Sequence, residues 1–246
     1  MARFATANDV INRAALECGL LPVNDPVSSA DESFVQMTGL LTSAGQELVE
    51  MHPWQGLRRK FDITTQVGDT GTYDLPDDFG YMVDQTGWDK SNRLPAIGPL
   101  SAQQWSFLDG TNLMDTPMYA MFQQEDNKLQ LYPQPPPPGV QVAFQYISRN
   151  WAVAPNTNPA VTQDYIKTGY DVVMYDPIMI VKFLALKFKS AKGFDASAAA
   201  MEFERMFLSR TGKDAGASIL NASRSTSGLP LLGYNNAPRS GYGHGS

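Results

Sequence analysis

The sequence predicts an α+β fold in which both ends of the chain form helices and the middle is rich in β-strands. Apolar residues recur at helical spacing before residue 54 and again after residue 175, whereas short alternating segments separated by turn residues fill the interval. Neither helical end has enough apolar surface for a core of its own. We therefore expect the two ends to pack into one bundle, with the β-rich middle inserted as a small antiparallel barrel or sandwich.

The same patterns divide the chain into three parts. Residues beyond 215 lose all periodicity and are rich in Ser, Gly, Asn and Pro, which is typical of an extended arm without a core. The predicted units are a helical bundle domain of residues 1–55 plus 172–215, an inserted β-rich domain of residues 56–171, and a C-terminal arm of residues 216–246.

Two helices are predicted near the N-terminus. Thr6 and Asp9 form a capping box that opens a helix ending near Gly19. Residues 29–32 read as a second capping box, with Ser29 as the cap and Glu32 as its partner, and the helix behind it ends before Pro53.

The second helix has one apolar seam. Its members alternate in steps of three and four residues: Phe34, Met37, Leu41, Ala44, Leu48 and Met51. Gly39 and Gly45 interrupt the pattern, and they either weaken the helix or allow a neighbouring helix to approach closely. This seam is the surface on which we expect the other end of the chain to pack.

The late helices are the most apolar segment of the chain. Asp176 and Pro177 are typical of an N-cap and a first helical residue. The next eleven residues are apolar around most of the helix, and a hinge at residues 192–195 leads into a second helix that ends near Thr211. A helix of this composition must be covered on more than one side, so we expect a neighbouring subunit to cover part of it.

The middle of the chain contains many short predicted strands. We place them at residues 60–67, 72–75, 81–86, 94–100, 119–123, 128–132 and 140–147, with a short helix from residue 101 and an extended segment at 165–174. The proline run 133–138 is interpreted as a stiff connection between paired strands. A polyproline ligand for a groove-type domain is the alternative.

Composition excludes several classes of protein. The net charge of −6 argues against wholesale wrapping of nucleic acid. The one cysteine, Cys18, rules out an intrachain disulfide framework and a cysteine-rich zinc site, and we interpret it as a buried, unreactive thiol. No N-terminal signal region or membrane-spanning apolar run is evident, so we expect a soluble protein made in a reducing cytosol, with no membrane partner.

The sequence offers little for catalysis. His52 and His244 form no metal or nucleophile pattern with Cys18, and no phosphate-binding or nucleophile-elbow motif occurs. We therefore predict a protein that is not an enzyme, with no cofactor, no metal site and no catalytic residue. His52, next to a helix end, is expected to make a capping or helix-dipole contact.

Three alternatives remain open. A cell-wall hydrolase would use carboxylates among Asp77, Asp78 and Glu125, although acidic residues in such positions usually form turns. A host-surface glycan-binding module would use the aromatic residues of the β-rich middle, which are Trp88, Trp105 and Tyr119. The lysines of the first late helix either contact phosphate or pair with the acidic N-terminal helices: Lys182, Lys187, Lys189 and Lys192.

Four local patterns, in this order, resemble the head-to-tail adaptor proteins of tailed bacteriophages, also called head-completion or tail tubular proteins. The first is residues 8–22, followed by the long helix that ends at Met51-His-Pro-Trp54. The second is residues 73–79, and the third is Leu129-Gln-Leu-Tyr-Pro133 with its proline run and the strand that follows. The fourth is Ala191-Lys-Gly-Phe-Asp195, which leads into Met201-Glu-Phe-Glu204. Together they span most of residues 7–214.

The resemblance implies a structural virion protein of the phage neck. It implies a ring, commonly of twelve subunits, that joins the portal protein to the tail nozzle or tail fibres and lines a channel through which double-stranded DNA passes without sequence-specific binding. Synthesis is expected in the host cytoplasm. We assign the subunit or portal interface to the late helices, the helix-to-β junction and the arm: Trp54, Arg58, Arg59, Val181, Leu184, Phe188, Phe203, Phe207, Arg224 and Arg239.

Overall fold

The computed structural model describes residues 4–111, 120–155, 157 and 160–214, and these residues form five helices and twelve strands. The helices are α1 (Ala7–Glu17), α2 (Glu32–Met51), α3 (Ala102–Thr111), α4 (Pro177–Ala191) and α5 (Ser197–Asp214). The strands are β1 (Ala5–Thr6), β2 (Arg58–Thr64), β3 (Thr72–Asp74), β4 (Phe79–Met82), β5 (Trp88–Asp89), β6 (Leu94–Pro95), β7 (Met121–Glu125), β8 (Lys128–Tyr132), β9 (Gln141–Ser148), β10 (Ala152–Val153), β11 (Thr162–Gln163) and β12 (Val172–Val173). The predicted α+β class is confirmed.

The strands form three antiparallel sheets. β9 is the centre of the largest sheet, because strands pair with both of its edges. β2 pairs with one edge over all seven of its own residues, from Arg58 opposite Ile147 to Thr64 opposite Gln141. The other edge of β9 pairs with β4 and β5, and β6 extends the sheet beyond β5. β3, β8 and β7 make a second sheet, and β1, β12, β10 and β11 make a third. No sheet of the described residues closes into a barrel, so the barrel alternative is wrong.

Both ends of the chain build the first apolar core, which we call the helical core. α4 packs against α1, α2 and α5. The predicted seam of α2 is buried from Phe34 to Leu48, but Met51 is 47% exposed and does not belong to it. Met51 is the last residue of α2, and the chain leaves the helix there in an extended conformation at His52.

The caps of the first two helices differ in how well they were predicted. In α1, Thr6 and Asp9 form the expected capping box, in which the Asp9 N–H donates to Thr6 Oγ1 at 3.2 Å. In α2 the N-cap is Asp31, which accepts a hydrogen bond from the Ser33 N–H at 2.8 Å. The predicted box of Ser29 and Glu32 is therefore wrong: the Ser29 hydroxyl instead accepts from the Asp31 N–H at 3.2 Å.

Gly45 allows a close approach to α2, but the group that approaches is the indole ring of Trp151 and not a neighbouring helix. A Cβ atom at this position would lie 2.1 Å from Cε2 of Trp151, which is fully buried. Trp151 stacks on Tyr175, with ring centroids 6.0 Å apart, and the Tyr175 hydroxyl donates to the Gly45 carbonyl at 2.8 Å. Residues from the middle of the chain thus enter the helical core, and Ala152 and Ile166 belong to the same cluster.

A second apolar core, the β core, lies among strands of the middle region. Its buried members fall between residues 63 and 146: Ile63, Leu75, Phe79, Phe122, Leu129, Leu131, Val142, Phe144 and Tyr146. Residues 133–138 join β8 to β9, which belong to different sheets, so this run does not connect paired strands as predicted. Thr65 anchors it, since its hydroxyl donates to the Pro137 carbonyl at 2.6 Å.

Candidate assembly surface

The hinge and caps of the late helices place α5 against α4. The Asp176 carboxylate caps α4 by accepting from the Ile178 and Met179 N–H groups at 3.1 and 3.2 Å, and Pro177 is the first helical residue, as predicted. At the other end of α4, Gly193 has a φ of +75°. The N–H of Phe194 donates to the Lys189 carbonyl at 3.0 Å, which completes a glycine-terminated helix end.

Most apolar residues of α4 are covered by this chain itself. Val181, Leu184 and Phe188 are 4%, 0% and 3% exposed. A neighbouring subunit is not needed to cover these three residues, because α1, α2 and α5 already do so, whereas Ile178 near the start of α4 is 48% exposed. Burial within one chain also removes the reason for assigning these three residues to a subunit interface.

Phe203, Phe207 and Trp54 hold α5 to the rest of the helical core. Phe203 is 9% exposed and stacks on Phe183, with ring centroids 4.3 Å apart. Phe207 meets the ring of Trp54 edge-on at 6.0 Å, and the Trp54 indole N–H donates to the Leu48 carbonyl at 2.6 Å. The contacts described for these three residues are with other residues of the same chain. They fix the position of α5 and do not form its exposed surface.

The predicted arginines fall into three situations. Arg58 is exposed at the start of β2, whereas Arg59 is half-buried and its guanidinium donates to the carbonyls of Gly56 and Arg58 at 3.2 and 3.0 Å. Arg224 and Arg239 lie outside the described residues. Among the arginines that we assigned to the interface, Arg58 is the one that is exposed to a partner in the part of the chain that the structure describes.

Sequence reasoning missed the outward side of α5. Met201 and Leu208 are 66% and 63% exposed, and Arg205 lies between them on the side opposite buried Phe203. The signal was present, because residues 201, 205 and 208 follow helical spacing and fall on one stripe. We call Met201, Arg205 and Leu208 the outer α5 face.

The lysines of α4 pair with carboxylates, as one of the two alternatives predicted. Lys182 Nζ lies 3.1 Å from Glu17 of α1 and 3.0 Å from Glu202 of α5. Lys187 Nζ lies 2.5 Å from Glu47 of α2. Hydrogen bonds to Glu202 and then Glu17 raise the pKa of Lys182. These two lysines therefore tie the ends of the chain together and are not available as a phosphate-binding surface.

Lys192, His52 and Cys18 also have contacts within the chain. Lys192 Nζ lies over the Phe188 ring, 5.5 Å from its centroid. His52 Nε2 lies 3.4 Å from the carboxylate of Asp214, at the end of α5, instead of making only a local helix-end contact. Cys18 is half-buried, and burial raises the pKa of its thiol, which disfavours the reactive thiolate.

Two of the three carboxylates of the hydrolase alternative have structural partners, and the third, Asp77, is exposed. Asp78 accepts hydrogen bonds from the Tyr146 and Ser148 hydroxyls at 2.8 and 2.7 Å. Glu125 accepts from the amide groups of Gln123 and Gln130 at 3.3 and 3.2 Å. Within the described part of the chain, no group of three or more His, Cys, Asp or Glu residues is placed to hold a metal ion.

Turn geometry explains the acidic pair at Glu125. Asp126 and Asn127 have φ values of +54° and +58°, as required of the two central residues of the tight hairpin turn between β7 and β8. Asp and Asn tolerate this left-handed conformation better than most residues do. Asp126 and Asn127 are therefore explained by the conformation that the turn requires.

The aromatic residues of the glycan-binding alternative lie on different elements. Trp88 is 39% exposed on β5. Trp105 is half-buried on α3, where it meets Tyr132 edge-on with ring centroids 6.1 Å apart. Tyr119 lies outside the described residues. Trp88 and Trp105, the two described residues of this alternative, therefore form no shared aromatic platform.

Comparison with known proteins identifies the family. Among the described residues, no helix combines the length and apolar content needed to cross a bilayer. No curated protein matches the chain. The family model described as SU10 adaptor protein matches residues 5–229, a span that includes both apolar cores and both late helices. The chain therefore belongs to the SU10 adaptor protein family, a family of phage structural adaptors.

Proposed function

We propose that this protein is a ring-forming head-to-tail adaptor, commonly a dodecamer, that joins the portal protein to the tail. The observation that carries the proposal is the family match, because it covers nearly the whole chain, from residue 5 to residue 229. The proposed partners are the portal on one side and the nozzle or tail fibres on the other. In this role the protein is a non-enzymatic component of the virion neck, made in the host cytoplasm.

Features of the described chain support this role. The helical core joins residues from both ends of the chain into one compact unit, and the β core lies in the middle region. We propose that these correspond to a bundle that builds the ring and a β-rich insertion that faces other neck or tail components. Arg58, exposed where the chain passes from one region to the other, is a proposed contact for an acidic portal surface.

Net charge supports passage of DNA through the ring without tight binding. The chain carries 19 Lys and Arg residues against 25 Asp and Glu residues, which gives a net charge of −6. A ring of such subunits repels the phosphate backbone on average, so DNA can slide through a channel without being held. We propose that the channel makes no sequence-specific contact.

Electron microscopy of the purified protein with and without the portal ring of the same phage tests this proposal. We expect rings of one symmetry, stacked coaxially on the portal when both proteins are present. Arg58→Glu should weaken portal binding, and Arg93→Glu, an exposed arginine of the β region, is the matched control. A chain that stays monomeric on saturating portal and never co-sediments with it would contradict the proposed role.

A further inference from the structure

β2 has the longest open edge among the described sheets. It lies at one end of its sheet and pairs with β9 alone. The Thr65 N–H, just after β2, donates to the Val140 carbonyl at 3.0 Å, on the side of β9. Since backbone groups alternate in direction along an antiparallel strand, those of Lys60, Asp62 and Thr64 point away from β9. Within the described residues, no hydrogen bond is made to these outward groups.

The other outermost strands are shorter or already covered. β1, β6 and β11 have two residues each, β3 has three and β4 has four. β7 has five residues, but the segment before it bonds to its edge. There the Phe122 N–H donates to the Ile97 carbonyl at 3.0 Å, and the Leu100 N–H donates to the Phe122 carbonyl at 2.9 Å. β2, with seven residues, is therefore the edge that offers a further strand the most hydrogen bonds.

β2 lacks most of the features that protect an open edge from pairing. It contains no Pro or Gly, and its register with β9 has no bulge. Its lysine is held over the sheet, because Lys60 Nζ lies 3.0 Å from the Asp62 carboxylate, which also pairs with Lys90 next to β5. On the opposite face Phe61 is half-buried, with its ring edge-on to that of Phe144 in the β core. An added strand would cover the rest of the Phe61 ring.

The end of α5 lies beside the start of β2. The Gln55 N–H donates to the Asp214 carboxylate at 2.9 Å, and the Gln55 side-chain amide donates to the Asp214 carbonyl. His52 Nε2 lies 3.4 Å from the same carboxylate. Gln55 is followed closely by Arg58, the first residue of β2. The chain therefore leaves α5 at the point where the open edge begins.

The residues that follow α5 have a suitable length and composition for an added strand. The family match continues beyond α5 through residues 215–229, so this segment belongs to the matched domain. Residues 217–223 contain no Pro, no Gly and no charged side chain. Their extended length is about 23 Å at ~3.3 Å per residue, which equals that of β2. Residue 217 also follows Asp214 by as many positions as Arg58 follows Gln55.

We propose that residues 217–223 add to the open edge of β2 as a parallel strand of the same chain. The strand is parallel to β2 because it starts where β2 starts. Residues that are level in neighbouring strands share a face of the sheet. Leu220 is therefore beside Phe61 on the side of the β core, and Ile219 is beside Lys60 on the outer side. The contact lies within one chain, so this inference does not depend on the adaptor role.

The added strand would act as a guard for the β region. An open edge of seven residues is a template on which strands of other chains can pair. Backbone bonds from residues 217–223 satisfy its outward groups, and Leu220 covers Phe61. The end of the chain thereby links the helical core, in which α5 packs, to the β core.

Amide hydrogen exchange of the full-length chain, measured residue by residue by NMR, is the first test. The N–H groups of Phe61 and Ile63 point toward β9 and should exchange slowly in any case. We expect the outward N–H groups of Lys60, Asp62 and Thr64 to exchange as slowly as these two. Fast exchange of the outward groups in the isolated protein would overturn the proposal. Protection that appears only after the portal is added would do so as well, since the occupant would then be a portal strand.

A proline substitution shows whether the arm supplies this protection. Leu220→Pro removes an N–H that the added strand donates to the Lys60 carbonyl, so exchange of the outward groups should accelerate more than about tenfold. Exchange at Phe61 and Ile63 should stay slow, which confirms that the variant is folded. Leu232→Pro, beyond the matched residues, is the control and should change none of these rates. Outward groups that stay slow in Leu220→Pro would contradict the proposed strand.

Cross-linking determines whether the strand comes from the same chain. In a Cys18→Ser background, Lys60→Cys and Ile219→Cys in one chain should form a disulfide under mild oxidation. Mass spectrometry of a mixture of isotope-labelled and unlabelled chains separates links within a chain from links between chains. The pair Lys60→Cys and Leu232→Cys is the control, for which we expect at least about tenfold less product. A 60–219 link that forms mainly between chains would assign the strand to a second copy and overturn the proposal.

Discussion

The helical core and the β core are built from different parts of the chain. Buried members of the helical core run from Ala5 to Phe203, and the bond from the Tyr175 hydroxyl to the Gly45 carbonyl joins residues 130 positions apart. All buried members of the β core lie between Ile63 and Tyr146. The helical core therefore needs both ends of the chain, whereas the β core needs only the middle. Contacts between distant segments are also slower to form, because loop closure must precede them.

The largest expected effect comes from a charge in the helical core. Leu184→Glu places a carboxylate at a position with 0% exposure, so we expect the free energy of unfolding to fall by more than about 4 kcal/mol. Urea unfolding followed by far-ultraviolet circular dichroism measures the loss. Because α1, α2 and α5 all pack on α4, helical signal from both ends should disappear together.

Leu208→Glu is the matched control for this prediction. It makes the same substitution at a leucine that is 63% exposed, where we expect a change within about 0.5 kcal/mol. Equal destabilisation by the two variants would show that Leu184 does not lie in the core. Independent melting of the α1–α2 and α4–α5 segments would contradict a single core built from both ends.

An intermediate effect comes from one buried tyrosine in each core at alkaline pH. Burial, together with the hydrogen bond to Asp78, raises the pKa of Tyr146 in the β core, and burial raises the pKa of Tyr175 in the helical core. Above about pH 10 the unfolded chain releases these protons while the folded chain retains them. Stability then falls as the pH rises, by at most about 1.4 kcal/mol per pH unit for each tyrosine.

Tyr146→Phe should reduce this alkaline slope, and unfolding by urea between about pH 8 and pH 11 measures it. The variant also loses the bond from the hydroxyl to Asp78, so we expect a loss of about 1 kcal/mol at neutral pH. Tyr170→Phe, at a tyrosine that is 67% exposed, is the control. A slope that is the same in both variants would show that Tyr146 does not contribute to it.

Much of the fold could be predicted from the sequence because its helices are long and strongly patterned. The Thr6–Asp9 box, the seam of α2 and the Asp176-Pro177 start are local signals, and the structure confirms all three except for Met51 at the end of the seam. The strands β1, β5, β10 and β11 were missed, since each has only two residues and forms by pairing with another segment of the chain. Ser29 was mistaken for a cap because Asp31, two residues later, has the same capping chemistry.

The candidate surface was less predictable, because burial depends on tertiary packing. The apolar composition of α4 predicted a need for cover, and the seam of α2 was expected to supply part of it, but the sequence did not predict that α1 and Phe203 of α5 would add to this cover within one chain. Conversely, no surface role was assigned to Met201 or Leu208 from the sequence. Only the position of α5 on the outside of α4 shows that these two side chains face outward.

The smallest expected effect concerns the charges that link the ends of the chain. Lys182 reaches Glu17 of α1 and Glu202 of α5, and its side chain is 29% exposed. Lys182→Met retains most of the apolar stem and removes both pairs, so we expect a loss of about 1 kcal/mol or less, measured by urea unfolding at low salt. Added salt should narrow the difference from the wild type, since the carboxylates are partly exposed.

The matched variant in the other region is Lys60→Met, which removes the pair between Lys60 and Asp62 on β2, 3.0 Å apart. Both of its side chains belong to one strand, so it cannot hold distant parts of the chain together, and we expect an even smaller loss. A loss above about 3 kcal/mol for Lys182→Met would contradict the comparison between the cores. It would mean that ion pairs, and not the apolar contacts of α4, hold the two ends of the chain together in the helical core.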